Sequence, residues 1–328
     1  MTWKPEDLQQ EDNPSLYVFY RLSDDSYKKP RFPGSTKEVC LSNFLDAFPD
    51  DAYICLIADN CREETVQQAV NLIAEYRMQP PYWMEEHITN LGNAGSFRKS
   101  LEMACDLPDD SLVYFVEDDY VHLKTHFKYR QLWNSPWNRD AFEILREGLT
   151  QSPPEFEYVT LQDHPDKYGG TYGESSMVWR TASTHWKKTR STTMTFGSKP
   201  KWLKKDFDIW MKHTEGSHPN DHEAFLELCQ AGRRRLISPL PGAAVHCDFS
   251  ASPDGKLHPT DQWAYKCIEE GLKKAIMYHD GDSLVESLKR KEAELEKLLP
   301  EGDVIQRLLV MQSIRISQCA TVISESEK

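Results

Sequence analysis

With 328 residues the chain can bury a sizeable core, as one large α/β domain or as a domain with an appendage. A hydrophobic fraction of 39%, with 9 Trp, 14 Tyr and 13 Phe, is that of a globular protein and excludes a disordered one. The formal charge of −13 and pI near 5.4 argue against a nucleic-acid partner, whose phosphate backbone calls for a basic stripe.

Residues 1–15 read as a polar N-terminal arm without the pattern of a signal peptide. No apolar run approaches the roughly 20 residues of a membrane span. The eight cysteines are scattered without a C-x-x-C pair, several inside apolar patterns, as expected of buried free thiols in a reducing compartment. A cytoplasmic, soluble protein is the expectation.

In chain order, Leu16 to Tyr20 reads as a strand running into Arg21 and Ser23, followed by a long polar loop from Asp24 to Ser35. Thr36 to Phe48 has helical spacing with Ser35 or Thr36 as cap, Tyr53 to Ala58 is a second strand stopped by Asp59-Asn60, and Glu63 to Arg77 is a helix. A short strand around Ile88 leads into the Asn90–Ser96 loop and a helix through Phe97, Leu101 and Ala104. Leu112 to Val116 is a continuous apolar run, as in a strand buried on both faces, and Glu117-Asp118-Asp119 follows at once. Such alternation predicts a doubly wound, mostly parallel sheet.

Further on, helices are expected at 121–134 and 138–149, and a strand at Glu157 to Leu161 closed by Asp163-His164-Pro165-Asp166. Residues 171–197 suggest a hairpin or small added sheet, and Lys199 to Lys212 is basic and aromatic. A helix starts at Pro219-Asn220-Asp221-His222-Glu223, capped by Asn220 or Asp221. Short strands at Arg235 to Pro239 and Ala243 to His246 flank a Pro-Gly turn. A helix at 262–278 and charged amphipathic helices over 283–318 form a helical appendage, 261–328, that would pack on the body or pair copies of the chain.

Ligands of open α/β sheets lie beyond the carboxyl ends of the strands, where Asp59, the Asn90–Ser96 loop and Glu117–Asp119 all fall. Acids crowded at the end of a buried strand repel one another, a cost that a divalent cation removes. The triplet therefore reads as a metal–diphosphate site or, equally, as a solvated acidic turn. A Gly-bearing loop opening a helix can offer N–H groups to a phosphate, or simply be a turn.

The order strand–Asp59, Asn90-x-Gly92, Val116-Glu117-Asp118-Asp119 and a late His246 resembles the GT-A fold of nucleotide-sugar-dependent glycosyltransferases, nearest the inverting family 2 type, over roughly residues 16–250. The resemblance implies a catalytic domain at 16–260, with a nucleotide-binding half (16–120) and an acceptor half (121–260). Arg21, Asp59, Asn90, Gly92, Ser96, Glu117 and Asp118 would contact the donor, and Asp119 and His246 would hold Mn²⁺ or Mg²⁺. Glu117 departs from the family's Asp-x-Asp at its first position. Asp221, or else Glu223, would be the catalytic base, although an Asp there can equally be a helix cap. Asp163, His164, Trp179 and Arg180 are weaker candidates for the acceptor side, together with His185, Trp186 and Arg190, whose aromatic members would serve a core as well as a sugar. Lys199, Lys201, Lys204 and Lys205 would meet an anionic acceptor or a membrane surface, or be a solvated face.

The implied activity is transfer of a sugar to an acceptor hydroxyl, in the synthesis of surface glycans or polysaccharide. A sugar-nucleotide nucleotidyltransferase, a retaining transferase and a non-catalytic sugar- or partner-binding module on the same fold stay open. The nucleotidyltransferase class usually carries a Gly-rich loop with a basic residue after the first strand, where this chain has Leu22-Ser23-Asp24-Asp25.

Overall fold

A computed structural model of the chain describes residues 14–25, 34–76, 83–124, 139–151, 156–163, 176–230 and 234–247. The expected appendage and most of the N-terminal arm lie outside these residues.

The first half alternates strand and helix as its sequence dictates: β1 (Tyr17–Ser23), α1 (Lys37–Ala47), β2 (Tyr53–Asp59), α2 (Glu63–Tyr76), β3 (Trp83–Thr89), α3 (Gly92–Cys105) and β4 (Val113–Glu117). Of the two candidate caps for α1 the structure selects Thr36, whose side chain accepts from the Val39 N–H at 3.3 Å. The second half carries β5 (Tyr120–His122), α4 (Ala141–Thr150), β6 (Tyr158–Val159), β7 (Val178–Arg180), β8 (His185–Lys188), β9 (Phe196–Ser198), α5 (Pro200–Lys205), α6 (Phe207–Lys212), α7 (Asp221–Leu228), β10 (Leu236–Leu240) and β11 (Ala244–His246).

Nine strands form one sheet in the order β3-β2-β1-β4-β9-β6-β10-β8-β7, with β3, β2, β1 and β4 parallel and β9 antiparallel to both β4 and β6. This is the mostly parallel, Rossmann-like sheet flanked by helices that the sequence predicts. Alternate residues of β1 serve two cores. Val18, Tyr20 and Leu22 join Leu41 and Phe44 of α1 and Leu72 and Ile73 of α2 on one face. Tyr17 and Phe19 join Phe97 and Leu101 of α3, Trp210 and Phe225 on the other. Double coverage explains the unbroken apolar runs of β1, β2 and β4, and each large side chain so buried stabilises the fold by about 1.5–3 kcal/mol.

Three expectations change. The helix expected from residue 121 begins instead as β5, which pairs antiparallel with β11 in a separate two-stranded sheet. Val121 and His122 are fully buried there; the rest of the expected helix, from 125, lies outside the described residues. The hairpin expected within 171–197 exists as β7–β8, but it extends the main sheet at its edge. Residues 196–198 leave that region to fill the middle of the sheet. Gly197 permits this: a Cβ there would lie 2.6 Å from Leu145 Cδ1 and 3.2 Å from the Val113 carbonyl. Among the described residues no helix is long and apolar enough to cross a membrane, and the six described cysteines are free, Cys40, Cys55, Cys229 and Cys247 being buried.

Candidate active site

Chain order reverses beside β1, with β2 and β3 on one side and β4 on the other, so a crevice opens where β1 and β4 end. The parallel register sets Arg21 beside Glu117 and Ser23 beside Asp59. A cavity of about 700 Å³ lies here, lined by residues from both halves of the chain. It gathers Arg21, Asp59, Gly92, Ser96, Glu117, Asp118, Asp119, Asp221 and His246, nine of the residues singled out from the sequence.

The acidic turn divides its work. Glu117 ends β4 and meets Arg21 Nη2 at 3.3 Å. Burial, the largest influence, pushes the Glu117 carboxyl up to about 7; Arg21 pulls it down and Asp119 raises it. Asp118 turns towards α1, where Oδ2 accepts from the Ser23 N–H at 3.1 Å and pairs with Lys37. Asp119 Oδ2 lies 3.0 Å from His246 Nε2. The β5–β11 pairing creates this proximity: His246 stands opposite Tyr120, and the Cys247 N–H donates to the Asp119 carbonyl at 2.7 Å. Glu117, Asp119 and His246 can each offer one ligand atom, all within 4.8 Å of one another. Two carboxylates and an imidazole suit a divalent cation such as Mn²⁺, so the residues fit the metal that the sequence implies.

A supporting tier lies beneath. The His246 ring stacks on Tyr120, with centroids 4.9 Å apart and planes 20° apart. Tyr120 Oη donates to Gln162 Oε1 at 3.0 Å and also contacts the Thr193 hydroxyl. Thr193 and Met194 line the cavity with φ of 44° and 60°. Such left-handed backbone costs a β-branched residue energy and is typical of functional loops.

On the β2–α3 side of the cavity, Asp59 is held by Thr89 Oγ1 at 2.8 Å, the Leu91 N–H at 2.7 Å and Asn60 Nδ2 at 3.0 Å. Gly92 opens α3 at φ 72°, a conformation glycine adopts freely, and a Cβ added there would meet nothing within 4 Å. Arg21 is 8% exposed and donates through Nη2 to Asn93, while its buried Nε and Nη1 make no hydrogen bond.

Asp221, the first residue of α7 after the cap Asn220, enters from the other half. Its Oδ2 accepts from the Thr192 N–H at 2.7 Å, the Thr192 hydroxyl at 3.1 Å and the Ser191 hydroxyl at 3.3 Å. Glu223 is exposed and does not line the cavity, and neither does the exposed Asn90.

The acceptor candidates fall elsewhere. Asp163 pairs with the buried Lys187 at 2.5 Å, and His164 lies outside the described residues. Trp179 packs edge-on against Phe156, and Arg180 is exposed on the sheet edge, so neither reaches the cavity. Trp186 is fully buried core, its Nε1 donating to Thr181 Oγ1. Lys201 and Lys204 pair with Asp110 and Asp109 at 3.0 and 2.6 Å, which offsets much of the basic cluster. Residues that sequence reasoning passed over, among them Thr193, Met194, Ser217 and His218, line the cavity from loops without any motif.

No protein-family model and no curated protein matches the chain. Solved structures similar to it include the mannosyltransferase PcManGT of Pyrobaculum calidifontis in complex with GDP-Man and Mn²⁺, 14% identical over 96% of this chain and 88% of that one, with a TM-score of 0.42. The galactosyltransferase LgtC in complex with donor and acceptor sugar analogues is 10% identical over 68% and 72%, at 0.34. A UDP-glucose pyrophosphorylase from Acinetobacter baumanii is 10% identical over 78% and 92%, at 0.37.

Proposed function

We propose that the protein is a metal-dependent glycosyltransferase that moves a sugar from a nucleoside-diphosphate sugar to an acceptor hydroxyl with inversion. The observation that carries this reading is the meeting, in one cavity, of Glu117, Asp119 and His246 from the strand ends with Asp221 from α7. Glu117, Asp119 and His246 would hold Mn²⁺ or Mg²⁺, which when bound offsets charge on a diphosphate leaving group. Arg21 adds a fixed cation whose Nε and Nη1 have hydrogen-bonding capacity left for the donor. Asp59, Gly92, Asn93 and Ser96 line the donor side, and Asp118 braces the turn through Ser23 and Lys37.

Asp221 is the base. Its carboxylate is fixed by Ser191 and Thr192, so it is positioned before any acceptor arrives. The acceptor oxygen forms a bond to the anomeric carbon as its proton passes to Asp221. The bond from that carbon to the diphosphate oxygen breaks, and the nucleoside diphosphate departs with the electron pair. Ser23-Asp24-Asp25 after β1 is acidic, which speaks against a nucleotidyltransferase that must clamp a triphosphate there.

Release of nucleoside diphosphate from a panel of nucleotide sugars, with Mn²⁺, Mg²⁺ or chelator, tests the reading. Turnover of one donor, abolished by chelator and by Asp221→Asn, is expected. A folded protein that turns over no donor under any condition would make this a binding module.

A further inference from the structure

A second group of metal-ligating side chains lies on the β2–β3 edge of the sheet, formed by residues other than those of the cavity. Cys55 in β2 is in register with Glu85 in β3, and His87 follows two residues on, which returns it to the same face. The Cys55 sulfur, a Glu85 carboxylate oxygen and a His87 ring nitrogen all lie within 4.8 Å of one another. His87 Nε2 stands 2.8 Å from Glu85 Oε1, yet the buried nitrogen makes no hydrogen bond, so the approach is too poorly aligned for one. The other Glu85 oxygen accepts from Tyr53 Oη at 2.8 Å, which fixes the carboxylate from behind as outer-shell partners do in metal sites.

We propose that Cys55, Glu85 and His87 form a zinc site, separate from the catalytic cavity and independent of the function proposed for it. Sulfur, nitrogen and oxygen donors together favour Zn²⁺ over Mg²⁺ or Ca²⁺, which take oxygen. One thiolate and one carboxylate balance the two positive charges of the ion, so no net charge is placed against the apolar α3 face. Zinc bonds of about 2.0–2.3 Å require only a modest closing of the three side chains, and water completes the tetrahedron. The ion would tie the edge strand β3 to β2, directly below the loop that carries Asn90 and Gly92.

The test uses the full chain with Asp119→Ala and His246→Ala, which silences the cavity trio, stripped of metal and titrated with Zn²⁺ and with Co²⁺. One equivalent of zinc should bind and raise the melting temperature. Cobalt should give a tetrahedral visible spectrum with a thiolate charge-transfer band that Cys55→Ser abolishes. Glu85→Gln and His87→Gln, whose side chains are partly exposed, should each weaken binding at least about tenfold with the fold intact. These two variants decide the matter if Cys55→Ser does not fold. Absence of binding, a band that survives Cys55→Ser, or unchanged affinity in both partly exposed variants would overturn the proposal.

Discussion

His246 Nε2 sits 3.0 Å from Asp119 Oδ2 although 127 residues separate them, because β11 pairs with β5 immediately after the acidic turn. The ring is held from below by Tyr120, whose hydroxyl reaches Gln162 and Thr193. Tyr120→Phe keeps the stack and loses the anchor. Its expected effect is a roughly 10–100-fold loss of Mn²⁺ affinity, as for outer-shell partners elsewhere, with little change in urea unfolding. Calorimetric titration with Mn²⁺ measures this, and an unchanged affinity would remove Tyr120 from the site.

Metal binding should depend on pH through Glu117. Its carboxyl is raised to about 7 from 4.5, so a cation must displace a proton in the acid range. Apparent Mn²⁺ affinity should climb by up to about tenfold per pH unit below about 7 and level off above it. In the metal-free protein the same group stabilises the fold below 4.5, and that contribution fades as pH rises through about 7. The rise in melting temperature that a fixed excess of Mn²⁺ produces should therefore grow with pH up to about 7 and level off above it.

Asp221→Asn retains an oxygen to accept from Thr192 and Ser191 but cannot take a proton. Turnover should fall by about 10²–10⁴-fold while donor affinity stays within a few-fold, whereas Glu223→Gln on the exposed face should leave both unchanged. Comparable losses in donor affinity and turnover for Asp221→Asn would mean that this carboxylate binds the donor instead.

His122 should make the fold acid-sensitive. It is fully buried, its Nε2 lies 2.9 Å from Tyr114 Oη, and burial pushes its pKa from 6.5 down to about 3. The neutral ring is favoured in the folded protein, so its contribution is complete above about 6.5 and is lost as pH falls towards about 3, by up to roughly 1.4 kcal/mol per pH unit. Urea unfolding at a series of pH values should show a shallower acid slope in His122→Gln than in the native protein.

The first half of the chain was legible because its strands are buried on both faces and its acids stand at strand ends. Tyr53–Asp59 and Val113–Glu117 announce themselves as apolar runs closed by carboxylates. β3 was harder, since the edge strand carries Glu85, Glu86 and His87 and has no continuous apolar pattern. β5 and β9 have only three residues each, too few to show a period, and their partners are fixed by tertiary pairing. Of the site, Asp119, His246 and Asp221 could be named from the family resemblance. Thr193, Met194 and the Tyr120–Gln162 support are products of loop geometry, for which no local signal exists.

Equilibrium binding of nucleoside diphosphates, with and without Mn²⁺, to the native protein and to Asp119→Ala tests the central claim most directly. The account predicts that one nucleotide binds the native protein tightly only when the metal is present, and that Asp119→Ala, folded to the same extent, loses most of that metal-dependent affinity. Nucleotide binding that ignores both the metal and Asp119, or no nucleotide binding by a well-folded protein, would contradict it.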